Sequence, residues 1–282
     1  MIVWITGASS GLGLHTAEAI CRAGHTVICG ARTFQERQTS ERMHQLPLDV
    51  TSDESIAAFT AKALTIVPSV DVLIHCAAIL TLGSCEETSA EEYRQVMETD
   101  FLGMVRMNQQ ALPLMRAQGQ GRIIMFSSIN GLLGIPFQSA YTAAKHAVEG
   151  YAECLQMEVR RFGIQVCLIE PGDHRSGSQH TRRLAAAMTK ESPYAEDYAD
   201  AVTVIRHDEA NGSSPEVLGR KVAALLKRRH MPIRRRIASP DQHLAVYLHD
   251  LLLPGINGMI LRDYYMNPRK AARYREKDKQ KK

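Results

Sequence analysis

The 282-residue sequence has no apolar run approaching the ~20 residues that a membrane-crossing helix needs. Its uninterrupted runs, such as Leu251–Leu253, are far shorter, so no transmembrane segment is expected. Met1 leads straight into Ile2-Val3-Trp4-Ile5, without the charged start of a signal peptide, so a cytoplasmic location is expected. Cysteine is scarce. Cys21, Cys29, Cys76, Cys85, Cys154 and Cys167 form no C-x-x-C pair, and most lie in apolar runs, where they read as reduced, buried small hydrophobes. The eleven histidines form no H-x-x-x-H and no Cys/His cluster, so no metal site is expected. Compositional extremes are missing too. A hydrophobic fraction of 45% and a charged fraction of 23% exclude a disordered chain, a collagen-like repeat and a small disulfide scaffold.

Net charge is +4, and it is unevenly placed. Residues Arg269–Lys282 hold eight Lys/Arg and two acids, which gives this tail +6 and leaves −2 for the rest. The body therefore lacks the basic surface of a nucleic-acid-binding protein, and no nucleic-acid partner is expected. The tail, 269–282, reads as a solvated, flexible terminus, with contact to phosphate or anionic lipid as the alternative.

What the chain does have is alternation. Ile2–Thr6, Thr26–Ala31, Gln45–Val50, Val70–Ala78, Arg122–Ser127 and Ile164–Glu170 read as strands. Leu12–Ala23, Asp53–Val67, Ala90–Gln118 and Ser139–Arg161 read as helices between them, with Pro113 a candidate bend in the third. Strands alternating with helices of ten or more residues mean βαβ units. The expected fold is α/β: one Rossmann-type, doubly wound parallel sheet with helices on both faces, over residues 1–268. Beyond Gly172 the pattern weakens into an elaborated C-terminal lid and helical extension. Short helices are expected at Arg183–Thr189 and Glu196–Ile205, then a helix at Pro215–Arg229, a last strand at Pro232–Ala238 and a helix at Gln242–Leu252.

A glycine-rich turn, Thr6-Gly7-Ala8-Ser9-Ser10-Gly11-Leu12-Gly13, follows the first strand and opens the first helix. Glycines permit a tight turn and close backbone approach, and the helix start offers free N–H groups to a pyrophosphate. The end of the second strand reads the adenosine ribose in such folds: an acid there accepts from a 2′-hydroxyl, whereas an Arg accommodates a 2′-phosphate. Here no acid appears before Glu36, and Arg32 follows the strand directly. Its planar fork suits phosphate, with Ser9 a possible second contact, so NADP(H) is favoured over NAD(H). Asp49, closing the third strand, would accept from the adenine amine or cap the next helix.

Tyr141 and Lys145 stand four apart on a helix and share a face. A neighbouring ammonium favours the phenolate and would lower the Tyr pKa from its usual ~10. Such a Tyr can give or take a proton near neutral pH. Ser128, thirteen residues earlier at a strand end, would hydrogen-bond a substrate carbonyl or hydroxyl. The set fits hydride transfer, with Lys145 holding both the cofactor ribose and Tyr141.

With these pieces in order, residues 2–176 resemble a short-chain dehydrogenase/reductase. The matching segments are T-G-A-S-S-G-L-G at Thr6–Gly13, L-D-V at Leu48–Val50, S-S at Ser127–Ser128, Y-T-A-A-K at Tyr141–Lys145 and E-P-G-D-H-R-S at Glu170–Ser176. The last segment, the S-S-G turn and the G-A-R strand end resemble the hydroxysteroid/retinol dehydrogenase-like branch. The resemblance implies an enzyme, an NADP(H)-linked oxidoreductase interconverting an alcohol and a ketone or aldehyde. It implies cofactor contacts from Gly7, Ser9, Ser10, Gly11, Leu12, Gly13, Arg32, Asp49, Val50, Ala77, Tyr141 and Lys145. It further implies that Pro171 and Gly172 line the nicotinamide ring and that Ser176 holds its carboxamide. Two segments depart from the family pattern. His75-Cys76-Ala77-Ala78 stands where N-N-A-G is expected. Asp100 stands at a catalytic Asn whose backbone carbonyl holds a water near the Lys, so an added charge is expected to shift the pKa values around Lys145.

Ligands in open α/β sheets bind beyond the carboxyl ends of the strands, so 173–214 should close over the nicotinamide, carrying His180, Arg182, Arg183, Met188, Tyr194 and Tyr198. The helices Ala90–Gln118 and Ser139–Arg161 carry more apolar residues than one sheet-facing stripe uses, and similar proteins pair through them, so a homodimer or homotetramer is expected. The alternative to a small-molecule oxidoreductase is a catalytically silent NADP(H)-binding regulator, favoured only by the two departures. A nucleotide-sugar epimerase or dehydratase is a third reading, opposed by the glycine spacing and the lack of a large substrate domain.

Overall fold

The apolar runs assemble into one parallel sheet. In the computed structural model, which describes residues 1–177 and 182–280, the strands are β1 (Ile2–Thr6), β2 (Thr26–Ala31), β3 (Arg37–Ser40), β4 (Met43–Pro47), β5 (Val72–His75), β6 (Thr81–Leu82), β7 (Gly121–Phe126), β8 (Ile164–Pro171), β9 (Arg183–Leu184) and β10 (Arg234–Ile237). Eight of them form the main sheet in the order β10-β8-β7-β5-β1-β2-β4-β3. Every pairing in it is parallel except β3–β4. The order reverses between β1 and β5, which makes the carboxyl ends of these two strands the crevice where such sheets bind ligands.

Alternate residues on each strand serve opposite faces. Trp4, Ile28, Leu73, Ile123 and Leu168 enter a core roofed by the helices α2 (Asp53–Ile66), α4 (Gly103–Gln118) and α5 (Ser139–Val159). Their neighbours Ile5, Val27, Ile74, Ile124 and Ile169 enter a second core beneath α1 (Gly11–Arg22) and α7 (Pro215–Leu225). Burial on both faces is why these strands read as continuous apolar runs.

Helix ends follow local chemistry. Ser52 caps α2 by accepting from the Ser55 amide at 3.1 Å. Ser89 and Glu92 form a reciprocal capping box at α3 (Ala90–Met97). The long helix expected over Ala90–Gln118 is broken, but not at Pro113. Glu98–Leu102 forms a π-helical turn between α3 and α4, and Pro113 lies inside α4.

Other elements differ from expectation. β3 reads Arg-Gln-Thr-Ser with all four residues exposed, so no apolar signal announces it. Arg183–Leu184 is not helical: it pairs with Thr81–Leu82 as a two-stranded ribbon. The polar third supplies α6 (Ala195–Ala210), α8 (Pro240–Leu251) and α9 (Pro254–Tyr265). The segment expected as a flexible tail is helix α10 (Pro268–Gln280) as far as residue 280. It docks on α6: Tyr274 stacks on His207 with centroids 3.6 Å apart, Arg275 meets Asp200 at 2.5 Å, and Ala271 is buried. Of the six cysteines, all free, only Cys29 and Cys167 are buried, while Cys85 and Cys154 are exposed. These two face outward although apolar neighbours such as Leu82, Ala152 and Leu155 are buried.

The edge strand β10 carries Arg234, Arg235 and Arg236 because acids wait beside it. Arg236 donates to buried Glu170 of β8 at 3.0 Å, and Arg234 lies 3.2 Å from buried Glu149 and 2.6 Å from Glu153. Burial pushes Glu149 up to about 7, with Glu170 adding to the rise and Arg234 opposing it. A carboxylate whose folded pKa is raised gives full stability below its unfolded value and loses it as pH climbs through the folded one. Thermal stability should therefore fall between pH 4.5 and about 7. Glu149→Gln should flatten that slope without abolishing it, because buried Asp173 is also raised to about 7. Melting curves across this range check it, and an unchanged slope in the variant refutes the assignment.

Candidate active site

One cavity of about 850 Å³ opens at the carboxyl ends of β1, β5 and β7. Its walls include Gly7, Ser9, Ser10, Gly11, Leu12 and Gly13 from the first turn, and Arg32, Asp49 and Val50 from the ends of β2 and β4. Ala77 contributes from beyond β5, Ser128 from beyond β7, Tyr141 and Lys145 from α5, and Pro171, Gly172 and Ser176 from beyond β8. Every residue singled out from the sequence for cofactor or chemistry lies on this wall except Asp100, which is fully buried behind it.

The first turn packs tightly on its own backbone and leaves a helix start open to an anion. Gly7 has φ +69° and a Cβ there would lie 2.4 Å from the Ala77 amide, while a Cβ on Gly13 would lie 2.2 Å from the Gly7 carbonyl. Ser10 is the N-cap of α1 but its side chain caps nothing, so the first N–H groups of the helix face the cavity without a side-chain acceptor. A dinucleotide fits this cradle: its pyrophosphate would take these N–H groups, and its 2′ position would meet Arg32. Among the described residues, no carboxylate lies within ion-pair distance of Arg32. Asp49 does not cap the next helix, which Ser52 does. It accepts from the Thr51 amide at 2.9 Å and hydroxyl at 2.7 Å. Burial alone would raise its pKa, but these bonds and nearby Arg32 hold it below the usual carboxylate value.

At the other end, Lys145 is 2% exposed and Asp100 0%. The Lys145 ammonium donates to the Phe126 carbonyl at 3.0 Å, lies 3.4 Å from the Asp100 carboxylate and sits 5.2 Å from the Tyr141 ring centre. Asp100 also accepts from the Ile79 amide at 2.8 Å, which ties the π-helical turn to the chain leaving β5. Burial pushes Asp100 up to about 6, with Lys145 pulling it back. Burial would lower Lys145, but Tyr141 and Asp100 together raise it. The expected shift of Tyr141 is corrected: its pKa lies above the usual value. Burial and the Asp100 charge outweigh the pull of Lys145, Ser128 and Arg182. The Ser128 hydroxyl is oriented by Asn130: it donates to Oδ1 at 3.2 Å and accepts from the Asn130 amide at 3.2 Å.

His75 takes over a structural task. Its buried ring donates to Asn108 at 2.9 Å, and Asn108 donates to Tyr151 at 3.2 Å, linking β5, α4 and α5. Burial lowers His75 to about 4, so it is neutral. Thr6 stitches the neighbouring strand end by accepting from the Cys76 and Ala77 amides at 3.3 and 3.4 Å.

The 173–214 segment does reach the cavity as expected, but mostly through residues other than those named from the sequence. Asp173, Ile205, Asp208, Glu209 and Tyr265 close the cavity from the 173–214 segment, α6 and α9. Asp173 belongs to the E-P-G-D-H-R-S segment; no motif marks the other four, which meet it only because the C-terminal helices pack back over the sheet. Of the residues expected to cover the nicotinamide, Arg183 lines the cavity and Arg182 is buried in an ion pair with Glu209. Met188 is buried, Tyr194 bonds Glu86 and Tyr198 packs edge-on against Phe137. His180 lies outside the described residues.

Comparisons with known proteins agree with this architecture. The short chain dehydrogenase family profile matches residues 1–187. A 3-ketodihydrosphingosine reductase of Bacteroides thetaiotaomicron is 35% identical over 264 residues, 94% of this chain and 97% of that protein. A dehydrogenase/reductase SDR family member 7B of Bos taurus is 32% identical over 270 residues, 90% of this chain and 78% of that one. The crystal structure of a short-chain dehydrogenase from Streptomyces avermitilis superimposes with a TM-score of 0.75 at 32% identity, covering 93% of this chain and 97% of that one. The chain belongs to the short-chain dehydrogenase/reductase family. It is an oxidoreductase acting on CH–OH or carbonyl groups with a nicotinamide cofactor.

Asp100→Asn keeps an acceptor for the Ile79 amide and removes the buried charge. Lys145 and Tyr141 should both titrate lower, moving the pH midpoint of kcat/KM to the acid side by about one unit. A pH–rate profile superimposable on that of the parent enzyme would exclude this coupling.

Proposed function

We propose that this protein is an NADP(H)-dependent reductase of a ketone, running reversibly as a secondary-alcohol dehydrogenase. The observation that carries the reading is the presence of Ser128, Tyr141 and Lys145 on the same cavity wall as the glycine turn and Arg32. When bound, the dinucleotide supplies or accepts the hydride. Ser128 donates a hydrogen bond to the carbonyl oxygen, and Tyr141 Oη delivers the proton to it. Lys145 steadies the phenolate that remains, itself backed by Asp100. Tyr141, whose pKa burial and Asp100 raise, carries the phenolic proton that reduction of a carbonyl consumes.

The far wall supports a substrate class. Asp173, Asp208 and Glu209, partnered by Gln242, Tyr264 and Arg182, give the same cavity a polar side, while Ile135 and Ile205 offer apolar surface. A ketone with donor groups beside the carbonyl and an apolar remainder matches both. 3-Ketodihydrosphingosine, named for the Bacteroides relative, is therefore the first ketone to test. The six unpaired cysteines support action in the reducing cytoplasm. Association into a homodimer or homotetramer is supported by the outer face of α5, where Gly150 is open and Met157 exposed, although Ala140 and Ala144 are already covered by Val96 of α3.

Tyr141→Phe should cut kcat by about 10²–10⁴ while leaving the NADPH-induced thermal shift intact. A variant that keeps its turnover overturns the proton assignment. Arg32→Ala should weaken NADPH by about 10- to 100-fold and leave NADH unchanged, the loss of a charge-assisted contact. Equal effects on both cofactors would place the 2′-phosphate elsewhere.

A further inference from the structure

Eight of the eleven large hydrophobic side chains exposed among the described residues fall between positions 244 and 264. They form a pattern. On α8, Leu244, Tyr247 and Leu251 recur at helical spacing on the outer face, while Val246 packs inward. On α9, Ile256, Met259 and Ile260 face outward, while Asn257 and Tyr265 face inward. Leu253 stands 71% exposed at the junction. Asn257 fixes the hairpin by donating to the His249 and Leu252 carbonyls at 2.8 and 3.1 Å, so this outer face is held as a surface and is not an unfolded end. Soluble monomers rarely leave so contiguous an apolar area uncovered.

Cations border it. Met259 and Arg262 share a shallow depression with Asp263 and with Arg269 at the start of α10, so two cations there face one acid. The Lys270 ammonium lies 2.8 Å from the centre of the Tyr264 ring at the rim of the apolar face. From this border the basic helix continues through Arg273, Lys277 and Lys279. An apolar face rimmed by a basic helix is complementary to one kind of partner, an interface whose interior is hydrocarbon and whose border is anionic. A second copy of the chain docking by the same face would instead bring these cations against their own counterparts.

We infer that the α8–α9 hairpin and α10 form a peripheral lipid-binding surface. The hairpin inserts its outer apolar side chains among acyl chains, and α10 engages anionic headgroups. Helix α9 has its other side at the catalytic cavity, since Tyr265 lines it and Tyr264 holds Asp208 at 2.9 Å. A lipid-soluble ketone would thus enter from the surface the protein sits on. That last link rests on the reaction proposed above; lipid binding itself does not.

The test is co-sedimentation of the full chain with phosphatidylcholine vesicles, with and without phosphatidylserine. The protein should partition onto the phosphatidylserine vesicles. Binding should fall at least about tenfold as salt rises from about 0.1 M to about 1 M and the Debye length shrinks from ~10 to ~3 Å. Leu253→Asp with Met259→Asp, at side chains 71% and 66% exposed, should lower partitioning by about tenfold or more. The melting temperature and the NADPH-induced shift should not change in this variant. Arg269→Glu with Arg273→Glu should remove the preference for phosphatidylserine. No partitioning of the parent protein overturns the inference, as does equal partitioning of the aspartate variant. A dimer that the aspartate variant splits, with no vesicle binding by the parent, assigns the face to self-association and overturns it as well. Loss of ketone reduction with vesicle binding retained would count against the catalytic reading alone.

Discussion

An ammonium removed from water needs negative charge or acceptors at close range, or folding bears the full desolvation cost. Lys145 is such a group, and its surroundings organise the site. The Phe126 carbonyl fixes it to the end of β7, the Asp100 carboxylate to the π-helical turn, and the Tyr141 ring to the preceding turn of its own helix. Asp100 in turn holds the chain beyond β5 through the Ile79 amide. One cation therefore registers three segments that the chain order keeps apart. Asp100 belongs to the π-helical turn and is fully buried, with its carboxylate 3.4 Å from the ammonium. Where a neutral side chain would leave the lysine to backbone acceptors and solvent, this chain gives it a buried partner, and both members have shifted proton affinities as a result.

The sheet was legible because burial on two faces leaves uninterrupted apolar runs, and its topology because helices of sufficient length separate those runs. The dinucleotide end was legible for a local reason: Gly7, Gly11 and Gly13 are close in sequence and act through their own backbone. Tyr141 and Lys145 were legible because four residues make one helical turn. What stayed hidden depends on contacts distant in sequence. β3 has no buried side chain, so it exists through pairing with β4 alone. α10 looks like a charged, fraying end until His207 and Asp200 of α6 supply partners for Tyr274 and Arg275. Asp208, Glu209 and Tyr265 carry no spacing signal, and only the folding of the C-terminal helices over the sheet aims them at the cavity.

The sign of the Tyr141 shift shows the limit of reasoning from pairs. A neighbouring ammonium does favour phenolate, as the spacing suggests. In the folded site the same burial that strengthens this attraction also disfavours the charged phenol, and Asp100 neutralises much of the ammonium's effect. Proximity was readable four residues apart, and Asp100 was readable as an added charge near Lys145; the depth of burial that decides the sign was not.

The two margins of the sheet have a bearing on how copies of the protein meet. β3 ends one margin with four solvated polar residues, and β10 ends the other with arginines committed to Glu149 and Glu170. An incoming strand from another molecule would have to lie against like-charged guanidinium groups at one rim and find no apolar purchase at the other. Both rims of the main sheet are thereby poor ground for an added strand.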